Sequence, residues 1–294
     1  MSKKGLIGVQ MSTVAGLIPT LGAYGIMKAI HEAGYNCVEI SQFPMTAENV
    51  AAFQQACKDF GMKVSSISAA VAPMVPGMPG EYLCNEADFK KMVADAKALN
   101  CDMMRIGMLP FTCMGSYEKA VAFAKEAEKY AVMLKEEGID LYYHNHHVEF
   151  TRYNGELLLD IMRENAPHLG FELDIHWIHR GGQDPIKFIK KYAGAVRLLH
   201  LKDYRVGELP VPEGGIDVTN RAAIMEFMKM FTGNIEFAEV GEGTLDIAGC
   251  IEAGLESGAE YFLVEQDNCY GRDPIDCLKT SRDNLIKLGY GDWF

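Results

Sequence analysis

The stretch LGFELDIHWIHRGGQDPIKFIKKYAGAVRLLHLKD, residues 169–203, decides the fold. It opens on a short apolar run at 169–174 and turns at Gly181-Gly182. A helical segment at 186–192 then starts behind Asp184-Pro185, a cap and first-turn pair. A second apolar, β-branched run follows at 196–202. Strand, helix and strand in that order make one crossover unit of a parallel sheet.

The same unit recurs on both sides. Further strand-like runs lie at 6–11, 37–40, 64–67, 103–106, 139–144 and 261–265. Helical spacing is clearest at 46–60, which Thr46 and Glu48 open and Gly61 closes, and at 117–137, which ends at Gly138. Segments 222–231 and 273–288 complete the set. Eight strands alternating with helices predict a closed (β/α)8 TIM barrel as a single domain over 1–294, with an open doubly wound sheet as the alternative. The loop VAPMVPGMPGEY at 71–82, with three prolines and two glycines, is long enough to cover a site as a lid.

Composition bounds the function. Of 294 residues, 49% are apolar and 23% charged, which supports a packed core and excludes disorder. The net charge of -12 disfavours nucleic acid and anionic membranes as partners and leaves room for a neutral substrate or a metal cation. The start, MSKKGLIGVQMSTVAGLIPTLG, is broken by Gln10, Ser12, Thr13 and Pro19, a poor signal peptide. No run of about 20 apolar residues is found, so no spanning helix is expected. The eight cysteines form no C-x-x-C pair and read as reduced, mostly buried thiols, which places the chain in the cytoplasm.

In a barrel the chemistry sits at the C-terminal ends of the strands. Those ends carry Glu39, Arg105, His144-Asn145-His146-His147-Val148-Glu149, Glu172-Leu173-Asp174-Ile175-His176-Trp177, His200-Leu201-Lys202-Asp203 and Glu265-Gln266-Asp267. Seven of the eight histidines lie between 144 and 200. On a strand, residues two apart share a face, which aligns His144 with His146, Asp174 with His176, and His200 with Lys202. One divalent cation explains the set economically: His144 or Glu149, Asp174, His200 and Glu265 offer one donor from each of four consecutive strands. Two carboxylates with imidazoles suit Mn, Co, Fe or Zn better than Ca, and the lack of cysteine there argues against structural zinc. Blander readings exist for each residue alone. Glu39 can be a rim salt bridge, Lys202 and Asp203 a surface pair, and Trp177 a packing residue. There is no G-x-x-x-x-G-K-[ST] loop, no G-x-G-x-x-G after a strand and no G-x-S-x-G elbow, so phosphoryl and hydride transfer have no support.

The runs YHNHHVEF (143–150), LDIHW with GGQDP (173–177, 181–185), LLHLKD (198–203), EVGEGTLD (239–246) and FLVEQD (262–267) resemble the sugar phosphate isomerase/epimerase superfamily of xylose isomerase-like barrels. The resemblance implies one divalent metal, Mn foremost with Co, Mg, Fe or Zn as substitutes. Asp174, His200 and Glu265 match three of its ligands. Many relatives carry glutamate where His144 stands, and several epimerases carry histidine where Trp177 stands.

The implied chemistry is proton abstraction beside the carbonyl of a ketose, through an enediolate. Glu265 and Glu149 are then candidate bases, and His146 and His176 candidate acids or hydroxyl binders. Lys202 would hold a substrate oxygen, and Glu39, Arg105 and Trp177 would bind the sugar. An inosose-dehydratase-like lyase uses the same site if a β-hydroxyl leaves. A metal-dependent endonuclease and a non-catalytic sugar-binding barrel are competitors from other classes. Expected partners are a sugar or cyclitol and a second copy of the chain in a homo-oligomer.

Overall fold

The computed structural model describes residues 4–209, 211 and 213–294. Eight parallel strands form a closed barrel: Leu6–Gln10, Cys37–Ile40, Lys63–Ala69, Met103–Ile106, Asp140–His144, Gly170–Asp174, Val196–Leu201 and Tyr261–Val264. The first strand pairs with the second, Val9 opposite Val38, and with the eighth, Leu6 opposite Tyr261. That closure excludes the open sheet. Each strand coincides with one of the apolar runs.

Helices cover the outside, and local chemistry sets their ends. Thr46 Oγ1 accepts from the Asn49 amide at 3.2 Å to cap Ala47–Phe60, and Gly61 at φ 67° leaves that helix in the left-handed region. Asp184 Oδ1 accepts from the Lys187 amide at 3.1 Å to cap Pro185–Lys191. One expected helix has a different role. The segment predicted at 222–231 is the helix Arg221–Gly233, which buries none of its side chains. The chain leaves the wall at Asp203, pairs Asp203–Val206 antiparallel with Ile235–Ala238, and holds this helix in the excursion between them. The helix packed on the barrel before the eighth strand is Ile247–Ser257, buried through Ile247, Cys250, Ile251 and Ala253.

The segment Met11–Glu32 is long and apolar enough to cross a membrane by length and composition, although none was expected. Within it, Ala23, Ile26, Met27 and Ile30 of the helix Ile18–Glu32 belong to the main hydrophobic core, which accounts for their apolarity.

The barrel interior is layered by strand parity. At the N-terminal end Cys37, Met103, Tyr142, Leu198 and Leu263 form an apolar plug. Two residues further along the same strands stand Glu39, Arg105, His144, His200 and Glu265, all buried. The chain therefore places ionisable groups where the next apolar layer belongs. Gly8 lets the first two strands approach, since a Cβ there would lie 2.8 Å from the Cys37 carbonyl oxygen.

Candidate metal centre

Four strand ends deliver their donors to one point. One nitrogen or oxygen each of His144, Asp174, His200 and Glu265 lie within 4.8 Å of one another, and all four residues are buried. His144 Nε2 is 3.5 Å and His200 Nδ1 3.8 Å from Asp174 Oδ2, and His200 Nδ1 is 3.0 Å from Glu265 Oε2. His144, rather than Glu149, is the fifth strand's member of this set. Glu149 is fully buried and apart from it: the Tyr143 hydroxyl and the His146 amide both donate to Glu149 at 2.7 Å. That carboxylate braces the turn after the fifth strand, because 145–150 leaves the strand and no longer alternates.

Three of the four donors, Asp174, Glu265 and His200, are held from behind. Asp174 caps the helix Ile175–Arg180 by accepting from the Trp177 amide at 3.0 Å, while its own amide donates to Asn145 Oδ1 at 3.0 Å. Gln10 Nε2 and Ser12 Oγ donate to Glu265 Oε1 at 2.8 and 3.0 Å. His200 Nε2 points down, 3.4 Å from Glu39 Oε1 and 3.3 Å from Glu172 Oε1. Arg105 joins those two carboxylates, with Nε 2.7 Å from Glu39 and 3.3 Å from Glu172, and its Nη2 donates to Ser41 Oγ at 2.8 Å.

The electrostatics follow from this burial. Desolvation favours a neutral ring at His200, but Glu172, Glu265 and Glu39 overcome it and raise its pKa well above the usual histidine value. Desolvation, with His200 and Arg105 adding to it, keeps His144 well below that value and therefore neutral, the form that ligates metals. Burial pushes the carboxyls up, yet Lys202 and His200 pull Glu265 well below the carboxylate range. Arg105 and His200 likewise hold Glu39 low. Glu172, buried beside the charge of Glu39, rises to about 8.

The residues fit a divalent cation on the structure itself. Both ring nitrogens of His144 and Asp174 Oδ2 are buried without a hydrogen-bond partner among the described residues. Buried polar atoms are rarely left so. Two carboxylates and two imidazoles converging on those atoms form an N/O donor set that suits a first-row metal.

Beside the quartet opens a cavity of about 520 Å³ whose lining includes Gln10, Ser41, Arg105, His146, Lys202 and Asp267. The loop at 71–82 lends it Ala72, Met74, Met78 and Tyr82. Lys202 is 2.7 Å from Asp267, 3.1 Å from Glu265 and 3.8 Å from Asp174, and its ammonium stands 5.1 Å from the Trp177 ring centre. Against burial, those carboxylates keep Lys202 charged. His146 reaches the cavity beside His144, 4.7 Å between ring centres; burial, with His144 adding to it, lowers its pKa to about 2.

Three expectations for this region change. His176 does not share a strand face with Asp174, because the helix starts at Ile175; it is buried against Trp177, Tyr204 and Phe237 and does not line the cavity. Trp177 packs behind the wall on His146 and His147, and Glu39 lies beneath the floor, so neither lines the cavity. Asp203 is no surface partner of Lys202: it accepts amides from Gly241, Gly243, Thr244 and Leu245 and pins that loop.

Sequence reasoning passed over Asn145, Glu172 and Asp267 as functional residues. Parity two residues before Asp174 was the signal available for Glu172. If Glu172 steadies His200, Glu172→Gln is expected to weaken Mn affinity about 10–100-fold, the usual loss when a ligand's outer partner is removed. Calorimetric Mn titration checks this, and an unchanged affinity removes Glu172 from that role.

A closed (β/α)8 barrel with four buried groups at its strand ends that could hold a metal ion defines the class of protein. The sequence profile of the xylose isomerase-like TIM barrel matches residues 27–282, and the chain belongs to that family. Similar solved structures include a sugar phosphate isomerase/epimerase from Parabacteroides distasonis ATCC 8503, with TM-score 0.73 and 18% identity over 97% of this chain and 99% of that one. The IOLI protein with a binding zinc atom gives TM-score 0.63 and 15% identity over 98% of this chain and 99% of that one. Among curated proteins, the inosose dehydratase of Clostridium perfringens (strain ATCC 13124) is 32% identical over 90 residues. That match spans 30% of this chain and 30% of the relative's length.

Proposed function

We propose that the protein is a divalent-metal-dependent isomerase or epimerase that moves a proton beside the carbonyl of a ketose or related sugar through an enediolate. The observation that carries the reading is the quartet His144, Asp174, His200 and Glu265, with unpartnered buried donor atoms, beside a cavity of sugar-accommodating size. Mn is the ion proposed, with Co, Mg, Fe or Zn as substitutes. Held by those four residues, it supplies Lewis-acid polarisation of a carbonyl and its neighbouring hydroxyl.

The chain's own groups then divide the work. Lys202, kept charged by three carboxylates, donates from Nζ to the oxygen on which negative charge develops. Glu265 has both oxygens engaged, one by Gln10 and Ser12 and the other by His200 and Lys202. Asp267 is the freer base, and burial and the charge of Glu265 raise its pKa above the ordinary aspartate value. Its carboxylate takes the α-proton, and the C–H electron pair becomes the enediolate double bond. Return of the proton to the other carbon or face gives the isomer or epimer. His146, held neutral, is a hydrogen-bond partner for a substrate hydroxyl. The reaction is placed in the cytoplasm, a reducing compartment in keeping with eight unpaired cysteines.

The 90-residue match to inosose dehydratase, at 32% identity, favours a second reading, a lyase in which a β-hydroxyl leaves the same enolate. Proton NMR in D2O across ketoses and cyclitol ketones separates the outcomes. Wash-in of deuterium at the α-carbon is expected with Mn, is lost after chelation, and returns with Mn or Co. Loss of water from the same compounds selects the lyase. Turnover that survives complete metal removal defeats both, and a metal-loaded chain that exchanges no proton in any compound is a non-catalytic barrel.

A further inference from the structure

We infer that this site takes an unphosphorylated polyhydroxy carbonyl compound bearing an apolar, aromatic substituent; the inference rests on the sugar-directed reading above and narrows its substrate class.

Charge is the first ground. Among the described residues, the cavity's lysine and arginine side chains are Lys202 and Arg105 alone. Both are committed. Lys202 contacts Asp267, Glu265 and Asp174, and Arg105 contacts Glu39 and Glu172. The two cations are thus already engaged by five carboxylates, Glu39, Glu172, Asp174, Glu265 and Asp267. Phosphate recognition draws on a surplus of cationic donors, typically a forked arginine or a free lysine. Here a phosphate dianion would be set among carboxylates, whereas uncharged hydroxyls would meet Ser41, Gln42, Ser68 and His146.

The second ground is the apolar part of the same lining. It is built from Met74, Met78 and Tyr82 of the long loop, with Met108 from beyond the fourth strand. Met78 is 43% exposed, a large apolar side chain left at a cavity rim. The loop is tied in place. The Leu83 amide donates to the Ala70 carbonyl at 2.9 Å, the Phe111 amide to Met74 at 3.0 Å, and the Tyr82 hydroxyl to Met78 at 2.7 Å. A hydroxylated ring alone leaves this sulfur-rich surface in water. An aromatic substituent covers it, since methionine adapts its shape and makes favourable sulfur–ring contacts. A cavity of about 520 Å³ falls within the range that holds ligands larger than one sugar ring.

Two matched pairs of probes test this on the Mn-loaded full chain by calorimetry: fructose against fructose 6-phosphate, and methyl against phenyl β-D-glucopyranoside. Fructose 6-phosphate is expected to bind at least about tenfold more weakly than fructose, and the phenyl glycoside about tenfold more tightly than the methyl one. The double variant Met74→Ala/Met78→Ala is expected to erase the phenyl advantage while Mn stoichiometry and the methyl glycoside's affinity stay as they were. The inference is overturned if the phosphorylated sugar binds as well as fructose, if the phenyl group brings no gain, if that gain survives in the double variant, or if none of the four probes binds. These arms read binding and need no turnover, so they fail separately from the proton-transfer reading, which the deuterium experiment decides.

Discussion

Asp174→Asn is expected to abolish stoichiometric Mn binding and leave the barrel folded. Asp174 Oδ1 caps the helix Ile175–Arg180 through the Trp177 amide, a contact that the asparagine oxygen reproduces in nearly the same volume. Oδ2 has no hydrogen-bond partner among the described residues and is the atom that His144, His200 and Lys202 surround at 3.5–3.8 Å. Substitution there removes a charged donor and puts a neutral amide among cations. Loss of an outer partner alone costs about 10–100-fold in metal affinity, so loss of a direct ligand is expected to exceed ~100-fold, and α-proton exchange falls with it. Metal analysis after dialysis, beside a thermal melt, reads both halves. One Mn per chain retained in the variant removes Asp174 from the site.

Arg105→Met is expected to cost about 3–5 kcal/mol of stability, the price of leaving a buried charge without its partner. Glu39 and Glu172 both contact Arg105, and Glu39 is held ionised by Arg105 and His200 against burial. Methionine fills much of the volume but leaves those carboxylates facing each other. At roughly 2–4 °C per kcal/mol for a large domain, the melting temperature falls by on the order of 10 °C. Adding Glu39→Gln removes the stranded charge and is expected to recover part of the loss. A single variant that melts within about 2 °C of the parent shows that the ionic layer does not hold the barrel together.

The barrel was legible because its strands are short, apolar and regularly spaced, and because parity inside a strand is a strict geometric rule. Cys37 to Glu39, Met103 to Arg105 and Leu198 to His200 obey it, and the inward layer of charge follows. The rule ends where a strand ends. His176 lies in the first turn of a helix, where alternation misplaced it, while Glu149 sits in the turn after the fifth strand and Asp203 turns to the 241–245 loop, both beyond the reach of the rule. Lys202 lies just past Leu201 yet keeps the inward direction, because Glu265 and Asp267 hold its ammonium. The helix Arg221–Gly233 was legible as a helix, but periodicity does not say what a helix packs on. Asp267 and the methionine wall depend on which loops meet across the barrel mouth, a tertiary fact that no local pattern encodes.

Anomalous diffraction at the manganese edge from Mn-soaked crystals tests the central claim most directly. A single peak is expected at bonding distance from His144, Asp174, His200 and Glu265 together. A peak between Glu39 and Glu172, a peak elsewhere on the barrel, or none at saturating Mn contradicts it.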